Sequence, residues 1–286
     1  MKKTAAFTAL FFAAALSLGS MELTVLGGMG NGFFDTKSLN PVGGGEFKGS
    51  LYPFFRVQLD ETVSDFFSFS GALERDPVLR NRSWAEAEFS AGFVSVSVGP
   101  VLGLFNSRES VVRPGIQAGI RLDFPGIIFA GFNAGSTLGS LRAEGDYEAR
   151  HGEFALGFWL PNIVNTISVS EKKYDSRETG TIDTLDAIRR YQYRAGIYAK
   201  GFPFEVQVDF GYETLTRRVT DASVVETDTY NIIFLGAETT VGVKPGFSLI
   251  FGVETPVYSW GQKPLEKKDK LLLFQAHAGF MYTLTK

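Results

Sequence analysis

The sequence predicts an all-β fold, a closed antiparallel transmembrane β-barrel of fourteen strands, with twelve as the alternative count. Three observations lead to this prediction: an apolar leader, long segments in which apolar and polar residues alternate, and turn signals that recur along the rest of the chain. The alternating segments last roughly ten to thirteen residues, about twice the usual strand length in globular domains. A tilted strand needs about nine to eleven residues to cross the hydrocarbon layer, so the lengths favour a membrane.

Residues 1–20 are predicted to be a cleaved secretory signal peptide, and residues 21–286 a single barrel domain. Lys2 and Lys3 precede an apolar stretch, and small residues near Gly19 and Ser20 fit a cleavage site. An uncleaved anchor is the alternative, which the short apolar stretch disfavours. The chain contains no cysteine, which excludes disulfides, thiol catalysis, thiolate metal sites and a lipid anchor on cysteine.

Alternation of apolar and polar residues is clearest in the segment 204–213. Its even positions are apolar or aromatic, and its odd positions are polar, acidic or glycine: Phe204, Val206, Val208, Phe210 and Tyr212 against Glu205, Gln207, Asp209, Gly211 and Glu213. The segments 47–59, 113–124 and 272–284 repeat this pattern. Period two gives a strand one apolar and one polar face. After the leader, no apolar run is long enough for a membrane helix.

Turn signals set the strand count. Tight turns are predicted at 124–126, 160–162, 201–203 and 244–246, with weaker ones at 60–62 and 92–93. Longer polar stretches are predicted as loops at 35–44, 76–82, 106–112, 143–150, 176–188, 219–227 and 259–269. This alternation gives fourteen strands, with both chain ends on the tight-turn side, which we expect to be periplasmic. A bulge near Gly92 in place of a turn would reduce the count to twelve.

A soluble β-sandwich would show the same alternation, so the choice of a membrane depends on further observations. The strands are long, and no second apolar layer is available for packing. Aromatic residues also crowd near the predicted strand ends. Those on the tight-turn side are Phe124, Phe158, Trp159, Phe202, Phe204 and Phe247, and those on the loop side are Trp84, Phe105, Tyr147, Tyr191, Tyr193, Tyr230, Tyr258 and Trp260. Two such groups are typical of the aromatic girdles at the membrane interfaces.

From the leader to the last residue, the chain resembles bacterial outer-membrane β-barrels as a class. The segment Phe280-Met281-Tyr282-Thr283-Leu284-Thr285-Lys286 is similar to the alternating aromatic end that the barrel-assembly machinery recognises, although it closes on Lys286. Size and strand count are similar to the OmpG type of monomeric fourteen-stranded porin. The resemblance implies location in the bacterial outer membrane, contact with outer-membrane lipid, assembly through the last strand, and a monomer.

The predicted inner faces carry charges of both signs, which indicates a hydrated pore for passive diffusion of small hydrophilic solutes or ions. The candidate pore-lining residues are Arg113, Arg121, Arg190, Arg194, Glu205, Asp209 and Glu213. A hairpin at Gly201 places Arg194 opposite Asp209 and Arg190 opposite Glu213, either as structural ion pairs or as a transverse field. Arg121 faces a glycine-rich stretch that leaves its guanidinium room to project, so it is the preferred pore-lining cation.

Other functions find less support in the sequence. The formal charge is −3, or −5 without Lys2 and Lys3, which gives no basic footprint for nucleic acid. We expect no enzyme, cofactor or metal, because the two histidines, His151 and His277, have no nucleophile motif or ligand spacing around them.

Two rival functions remain open. One is a transporter of hydrophobic substrates of the fatty-acid-channel type, for which the strand pattern that follows the leader leaves no residues for a plug. The other is a structural or adhesive barrel that acts through its extracellular loops, with its lumen blocked by side chains. The segment 176–188 is the candidate for an inward-folding gate, with an exposed loop as the default expectation.

Overall fold

The computed structural model describes residues 20–30, 52–106, 110–138, 146–179, 182–198, 202–221, 224–261 and 274–284. The strands are β1 (Ser20–Gly30), β2 (Tyr52–Ser64), β3 (Phe67–Asp76), β4 (Arg80–Ala91), β5 (Val94–Asn106), β6 (Ser110–Phe124), β7 (Ile128–Thr137), β8 (Asp146–Leu160), β9 (Ile163–Thr179), β10 (Ile182–Tyr198), β11 (Phe204–Asp221), β12 (Val224–Lys244), β13 (Phe247–Gly261) and β14 (Gln275–Leu284). Within these ranges there is no helix that is long and apolar enough to cross a membrane.

The fourteen strands form a closed antiparallel barrel. Each strand pairs with its neighbours in the chain, and β14 pairs with β1, where Val25 lies opposite Phe280. The predicted count of fourteen is confirmed and the alternative of twelve is wrong, because Gly92 and Phe93 form a turn between β4 and β5. Gly92 has a φ of 62°, in the left-handed region that glycine adopts without strain. Closure leaves no strand edge unpaired, as a lipid environment requires.

Both described ends of the barrel, Ser20 and Leu284, lie at the same end as the tight Pro/Gly turns. We call this end the corner end and the opposite end the far end. Three of the four predicted Pro/Gly turns are confirmed, since they connect β6 to β7, β8 to β9 and β12 to β13. The fourth, predicted at 201–203, includes Gly201, which lies outside the described residues; Phe202 and Pro203 lie between β10 and β11. Gly126 and Gly246 each have a φ of 74°, and Asn162 has a φ of 63°. Glycine and asparagine tolerate this conformation best, which explains why local sequence marks these turns.

The turn predicted at 60–62 is wrong. Strand β2 continues to Ser64, and the turn to β3 is formed by Asp65 and Phe66. Asp60 lies in the ladder on both sides, opposite Glu22 on β1 and Ser70 on β3. The polar run therefore belongs to a strand, because the neighbouring strands satisfy its backbone groups.

The predicted far-end loops are too long, because every described residue of the stretches 106–112, 143–150, 176–188, 219–227 and 259–269 lies in a strand. The stretch 76–82 contains only a three-residue turn, 77–79, between β3 and β4. The stretches 176–188 and 219–227 are mostly strand, and β12 reaches 21 residues, well beyond the predicted length. Ladder hydrogen bonds hold these segments whatever their side chains are. The leader residues 1–19 and the predicted loop residues 35–44, 107–109, 143–145 and 262–269 lie outside the described residues.

The outer face carries an apolar band that ends abruptly towards the far end. On β8 the exposed outer residues are Phe154, Leu156, Phe158 and Leu160, and the next outer positions in that direction reach Arg150 and Glu148. Outer-face ion pairs then join neighbouring strands at this level: Arg150 with Asp175 at 3.1 Å, Arg189 with Glu171 at 2.6 Å and Arg177 with Asp183 at 3.0 Å. An apolar band flanked by charge is what a bilayer requires of a barrel surface. The architecture is that of the outer-membrane β-barrel class.

The aromatic girdles are only partly as predicted. Exposed outer aromatics on the corner side include Phe124, Phe158, Phe202 and Phe204, and those towards the far end include Tyr191, Tyr193, Tyr258 and Trp260. Tyr147 and Tyr230 are buried, however, and belong to apolar clusters inside the barrel. Along their strands, Tyr147 and Tyr230 occupy positions that point to the inner face. Because both faces contain aromatic residues, the sequence alone does not show which face each of them is on.

Candidate functional site: the barrel interior

The inner face of the barrel carries most of the charged side chains, and the strand register decides which of them meet. The predicted register between β10 and β11 is the observed one, with Arg194 opposite Asp209 and Arg190 opposite Glu213. Arg194 donates from Nε to Asp209 Oδ1 at 2.8 Å. Arg190 donates to Glu213 at 2.7 Å and, through both terminal nitrogens, to Glu254 at 2.9 Å. Arg190 therefore joins three strands.

Arg121 does not project freely from the inner wall. It lies opposite Gly131, as the sequence predicts. Its guanidinium, however, donates to Asp123 Oδ2 at 2.9 Å and lies 4.7 Å from the ring centre of Phe129. Asp123 is two residues further along the same strand face, so the carboxylate reaches the cation locally. The charge of Arg121 is thus compensated on its own strand.

Arg113 and Glu205, the remaining candidates, lie at opposite ends of the interior. Arg113 forms an ion pair with the buried Asp146 at the start of β8. Glu205 lines a cavity of about 260 Å³ at the corner end, together with inner-face residues of β10, β11 and β12. The structure therefore divides the seven candidates among separate places and does not bring them into one ring.

An acidic cavity lies in the corner half of the barrel. Its volume is about 410 Å³, and its carboxylates include Asp60, Glu86, Glu88 and Glu153. Serine and glycine residues on β3, β5, β6 and β7 also line it, beside Asn133 and the apolar Phe69, Ile120, Phe132 and Ala155, and Arg121 is the cation in its lining. Since Arg121 is already paired with Asp123, the cavity carries an excess of negative charge. Such a lining favours water and cations.

Glu86 is the carboxylate of this cavity that two amide side chains contact. It is buried, it accepts a hydrogen bond from Gln117 Nε2 at 2.9 Å, and Asn133 Nδ2 lies at 3.5 Å. Both partners are neutral amides, so the charge of Glu86 is solvated without being cancelled. Buried charges usually require a partner of opposite sign or dense hydrogen bonding. Here the amides supply the hydrogen bonds, and the negative potential remains in the cavity.

The far half of the interior is packed with side chains. One buried cluster contains Val78, Leu79, Tyr147, Ala149 and Tyr174, and a second contains Leu215, Tyr230, Ile232 and Phe234. Ile188 packs against both clusters, so the two form one continuous layer. Apolar side chains that close together exclude water from this level of the barrel.

Ion pairs surround the apolar layer. Asp186 accepts hydrogen bonds from Arg217 at 2.7 and 2.8 Å and from Arg80 at 3.2 Å. Arg82 pairs with Glu74 on the adjacent strand and donates to His151 Nδ1 at 3.0 Å. These residues belong to strands on different sides of the barrel. The far half is therefore held by side-chain contacts through the lumen in addition to the backbone ladders.

The sequence prediction missed the part of the chain that crosses the lumen. The segment 176–188 was the candidate gate, but Thr184 and Asp186 are buried members of β10. The turn between β3 and β4 enters the interior instead. A signal for it exists: Asp76-Pro77 is a turn sequence, and Val78 and Leu79 are two adjacent apolar residues within a polar stretch. Apolar residues in a turn indicate that the turn is buried.

A metal centre finds no support in the described part of the chain, which contains no group of three or more histidine, aspartate or glutamate side chains able to hold an ion. His277, the other histidine, bonds through Nε2 to Glu238 Oε2 at 2.7 Å. That carboxylate lies on the inner face of β12, next to the smaller cavity.

Solved structures align with this chain in fold, although their sequences are not similar to it. No protein-family model matches the chain, and no curated protein matches it. A bacterial polysaccharide outer-membrane secretin aligns at a TM-score of 0.46 and 11% identity, covering 93% of this chain and 98% of that one.

Two further solved structures align in the same way. The OmpT outer-membrane protein of Vibrio cholerae without its loop L8 aligns at a TM-score of 0.44 and 8% identity, covering 93% of this chain and 98% of that one. The OmpF protein of Salmonella typhi in complex with daunomycin aligns at a TM-score of 0.39 and 10% identity, covering 93% of this chain and 97% of that one. These scores are too low to say what this chain does.

Proposed function

We propose that this protein is a bacterial outer-membrane channel for passive diffusion of small hydrophilic solutes or ions, with a preference for cations. One observation carries the proposal: carboxylates are the dominant charged groups in the open cavity of about 410 Å³ in the corner half, beside hydroxyls, glycines and a few apolar residues. A polar, hydrated wall suits small hydrophilic solutes. Its excess negative charge raises the local concentration of cations and disfavours anions.

The proposed preference for cations depends on the carboxylates of the cavity and on the pairing of the arginines elsewhere on the wall. Glu86, Glu88 and Glu153 face the cavity from β4 and β8. Arg190 and Arg194 lie further round the wall, and their ion pairs with Glu213, Glu254 and Asp209 cancel their charge. Anions therefore meet few uncompensated cations along the described wall, whereas cations meet uncompensated carboxylates.

Planar bilayer recordings with a salt gradient across the membrane test the proposal. We expect discrete conductance steps and a reversal potential of the sign that cation preference requires. The variant Glu88→Gln/Glu153→Gln removes two charges from the cavity and should move the reversal potential towards zero. Glu171→Gln, on the outer surface among Lys173 and Arg189, is the matched control and should leave it unchanged.

Two outcomes contradict the proposal. An anion-selective reversal potential rejects the assigned cation preference. Folded, inserted protein that gives no conductance steps, both in the wild type and in variants with weakened packing in the far half, rejects the channel itself. The packed far half favours one alternative, a structural or adhesive barrel that acts through its far-end surface, and that result would support it. A transporter of hydrophobic substrates requires a cavity without uncompensated charge, whereas the cavity of about 410 Å³ contains Glu86, Glu88 and Glu153.

The orientation and assembly of the barrel are part of the same proposal. We place the corner end, with the short Pro/Gly turns, on the periplasmic side and the far end outside the cell. β14 presents Phe280, Tyr282 and Leu284 on the outer-face parity, the pattern we propose that the barrel-assembly machinery binds. The barrel closes within one chain, so one copy completes the wall, and we propose a monomer in contact with outer-membrane lipid.

A further inference from the structure

The turn between β3 and β4 is compact and points away from solvent. Asp76 Oδ1 accepts hydrogen bonds from the backbone N–H groups of Val78 at 2.7 Å and Leu79 at 2.9 Å. This side-chain cap fixes the turn at its first residue. Arg80 closes the turn with a φ of 64°, a left-handed conformation that is unfavourable for a residue with a Cβ. Contacts elsewhere must hold such a conformation in place.

Those contacts lie on the opposite wall of the barrel. Val78 and Leu79 are 5% and 1% exposed, and they pack in one cluster with Tyr147 and Ala149 of β8 and Tyr174 of β9. In the ring of strands, β8 and β9 are five and six places from β3. The turn therefore spans the lumen and does not fold along its own side of the rim.

Charged groups fix both ends of the turn to the same wall. Asp76 pairs with Lys172 of β9. Arg80 pairs with Asp186 of β10 at 3.2 Å, and its guanidinium lies 5.0 Å from the ring centre of Tyr174. No backbone ladder joins β3 or β4 to β9 or β10, since the ring order separates them. The connection across the lumen thus depends on side chains alone.

We propose that the segment Asp76–Arg80 is a latch that closes the far half of the lumen, and that its release from β8, β9 and β10 opens the channel. The inference rests on the proposed channel function and adds its regulation. The latch contacts can separate without breaking a ladder hydrogen bond, so the barrel wall stays closed while the lumen opens. Salt screens the Asp76–Lys172 pair more than the Arg80–Asp186 pair, because the Lys172 side chain is 41% exposed whereas those of Arg80 and Asp186 are 14% and 9% exposed.

Single-channel recordings of Leu79→Ser and Leu73→Ser test the latch. Both variants make the same change on or next to β3, but Leu79 is 1% exposed inside the latch, whereas Leu73 is 42% exposed on the outer face. We expect Leu79→Ser to raise the open fraction about tenfold, which corresponds to about 1.4 kcal/mol of lost closed-state stability. Leu73→Ser should behave like the wild type.

A cross-linking experiment tests the geometry without relying on conductance. The chain has no cysteine, so Val78→Cys/Ala149→Cys introduces the only thiol pair. A short, cleavable bifunctional thiol reagent should join the two in the folded protein and hold the channel closed until it is cleaved. Val78→Cys/Ser97→Cys is the control, because Ser97 lines the cavity in the corner half and should not be joined.

The outcomes separate the latch from the channel. A wild type that conducts, with the same open fraction in Leu79→Ser, overturns the latch and leaves the channel function standing. Absence of cross-linking between residues 78 and 149 in folded protein overturns the placement of the turn. Absence of conductance in every variant, including Leu79→Ser and the cleaved cross-link, overturns the channel function together with its regulation.

Discussion

Asp76 and Lys172 form an ion pair through the interior of the barrel, although β3 and β9 are six places apart in the ring of strands. Both residues lie towards the far end. Asp76 is three residues beyond Leu73, the last exposed apolar residue on the outer face of β3. The pair therefore joins two walls above the lipid band, where its electrostatics respond to the aqueous medium.

The first prediction concerns the pH dependence of this pair. Burial by itself would raise the pKa of Asp76, but the ammonium of Lys172, the N–H of Leu79 and the guanidinium of Arg82 outweigh it and lower the pKa from 3.8 to about 2. A lowered pKa means that ionised Asp76 stabilises the fold above about pH 3.8, and that this contribution disappears as the pH falls through 2. It amounts to about 2 kcal/mol.

Asp76→Asn should therefore lower the free energy of unfolding by about 2 kcal/mol at pH 7 and have almost no effect near pH 2. Asparagine keeps the oxygen that caps Val78 and Leu79, so the variant removes charge and preserves the turn. Equilibrium denaturation in phospholipid vesicles at the two pH values measures the difference. An equal effect at both values would show that Asp76 acts through the cap and not through its charge.

The second prediction concerns Arg190. Its guanidinium serves both Glu213 and Glu254, so Arg190→Met leaves two carboxylates on the inner wall without their cation. We expect a loss of about 3–5 kcal/mol in the free energy of unfolding, as for other broken buried ion pairs. Arg190→Lys should recover only part of it, because an ammonium does not reproduce the forked geometry.

Arg121→Met is the matched control for Arg190. The side chain of Arg121 is 46% exposed and is paired with Asp123 on its own strand. Exposed pairs contribute at most about 1 kcal/mol, so the control should change the free energy of unfolding little. Similar losses in Arg190→Met and Arg121→Met would argue against a structural role for the three-strand ion pair.

The third prediction uses two adjacent glycines on β1. A Cβ at Gly28 would collide with the carbonyl oxygen of Ala276 and the ring of Phe54, whereas a Cβ at Gly27 meets nothing within 4 Å. Gly28→Ala should destabilise the barrel by about 1–3 kcal/mol through overpacking. Gly27→Ala should change stability by less than about 0.5 kcal/mol. The refolding yield and unfolding free energy of the pair decide whether Phe54 is fixed against β1.

Local chemistry explains which parts of the fold the sequence predicts. The turns at Gly126, Asn162 and Gly246 require a left-handed backbone conformation. Glycine and asparagine adopt it readily, and proline beside them favours a turn, so these residues predict the turns. The pairs Arg194–Asp209 and Arg190–Glu213 follow from one turn and a period of two. By contrast, the turn at 65–66 contains a phenylalanine, which is not a turn signal. The polar residues 60–62 before it resemble a turn in the sequence, although they belong to a strand.

The packed far half depends on contacts that local sequence does not encode. Residues 176–188 lose the contrast between faces because both faces of β9 and β10 are polar there, outside on Arg177 and Asp183 and inside on Ser176 and Asp186. The latch contacts join residues about a hundred positions apart, such as Asp76 and Lys172. Only closure of the ring places them together, so the local sequence can mark the turn as buried but cannot identify the residues that it contacts.

The crossing of the lumen by the turn between β3 and β4 has a mechanical consequence. A ring of hydrogen-bonded strands resists stretching around its circumference, but it flattens easily into an oval because bending breaks no ladder bond. Asp76–Lys172 and Arg80–Asp186 act as struts along the short axis of such an oval. Cross-sectional shape at this level is therefore set by two side-chain pairs as well as by strand number.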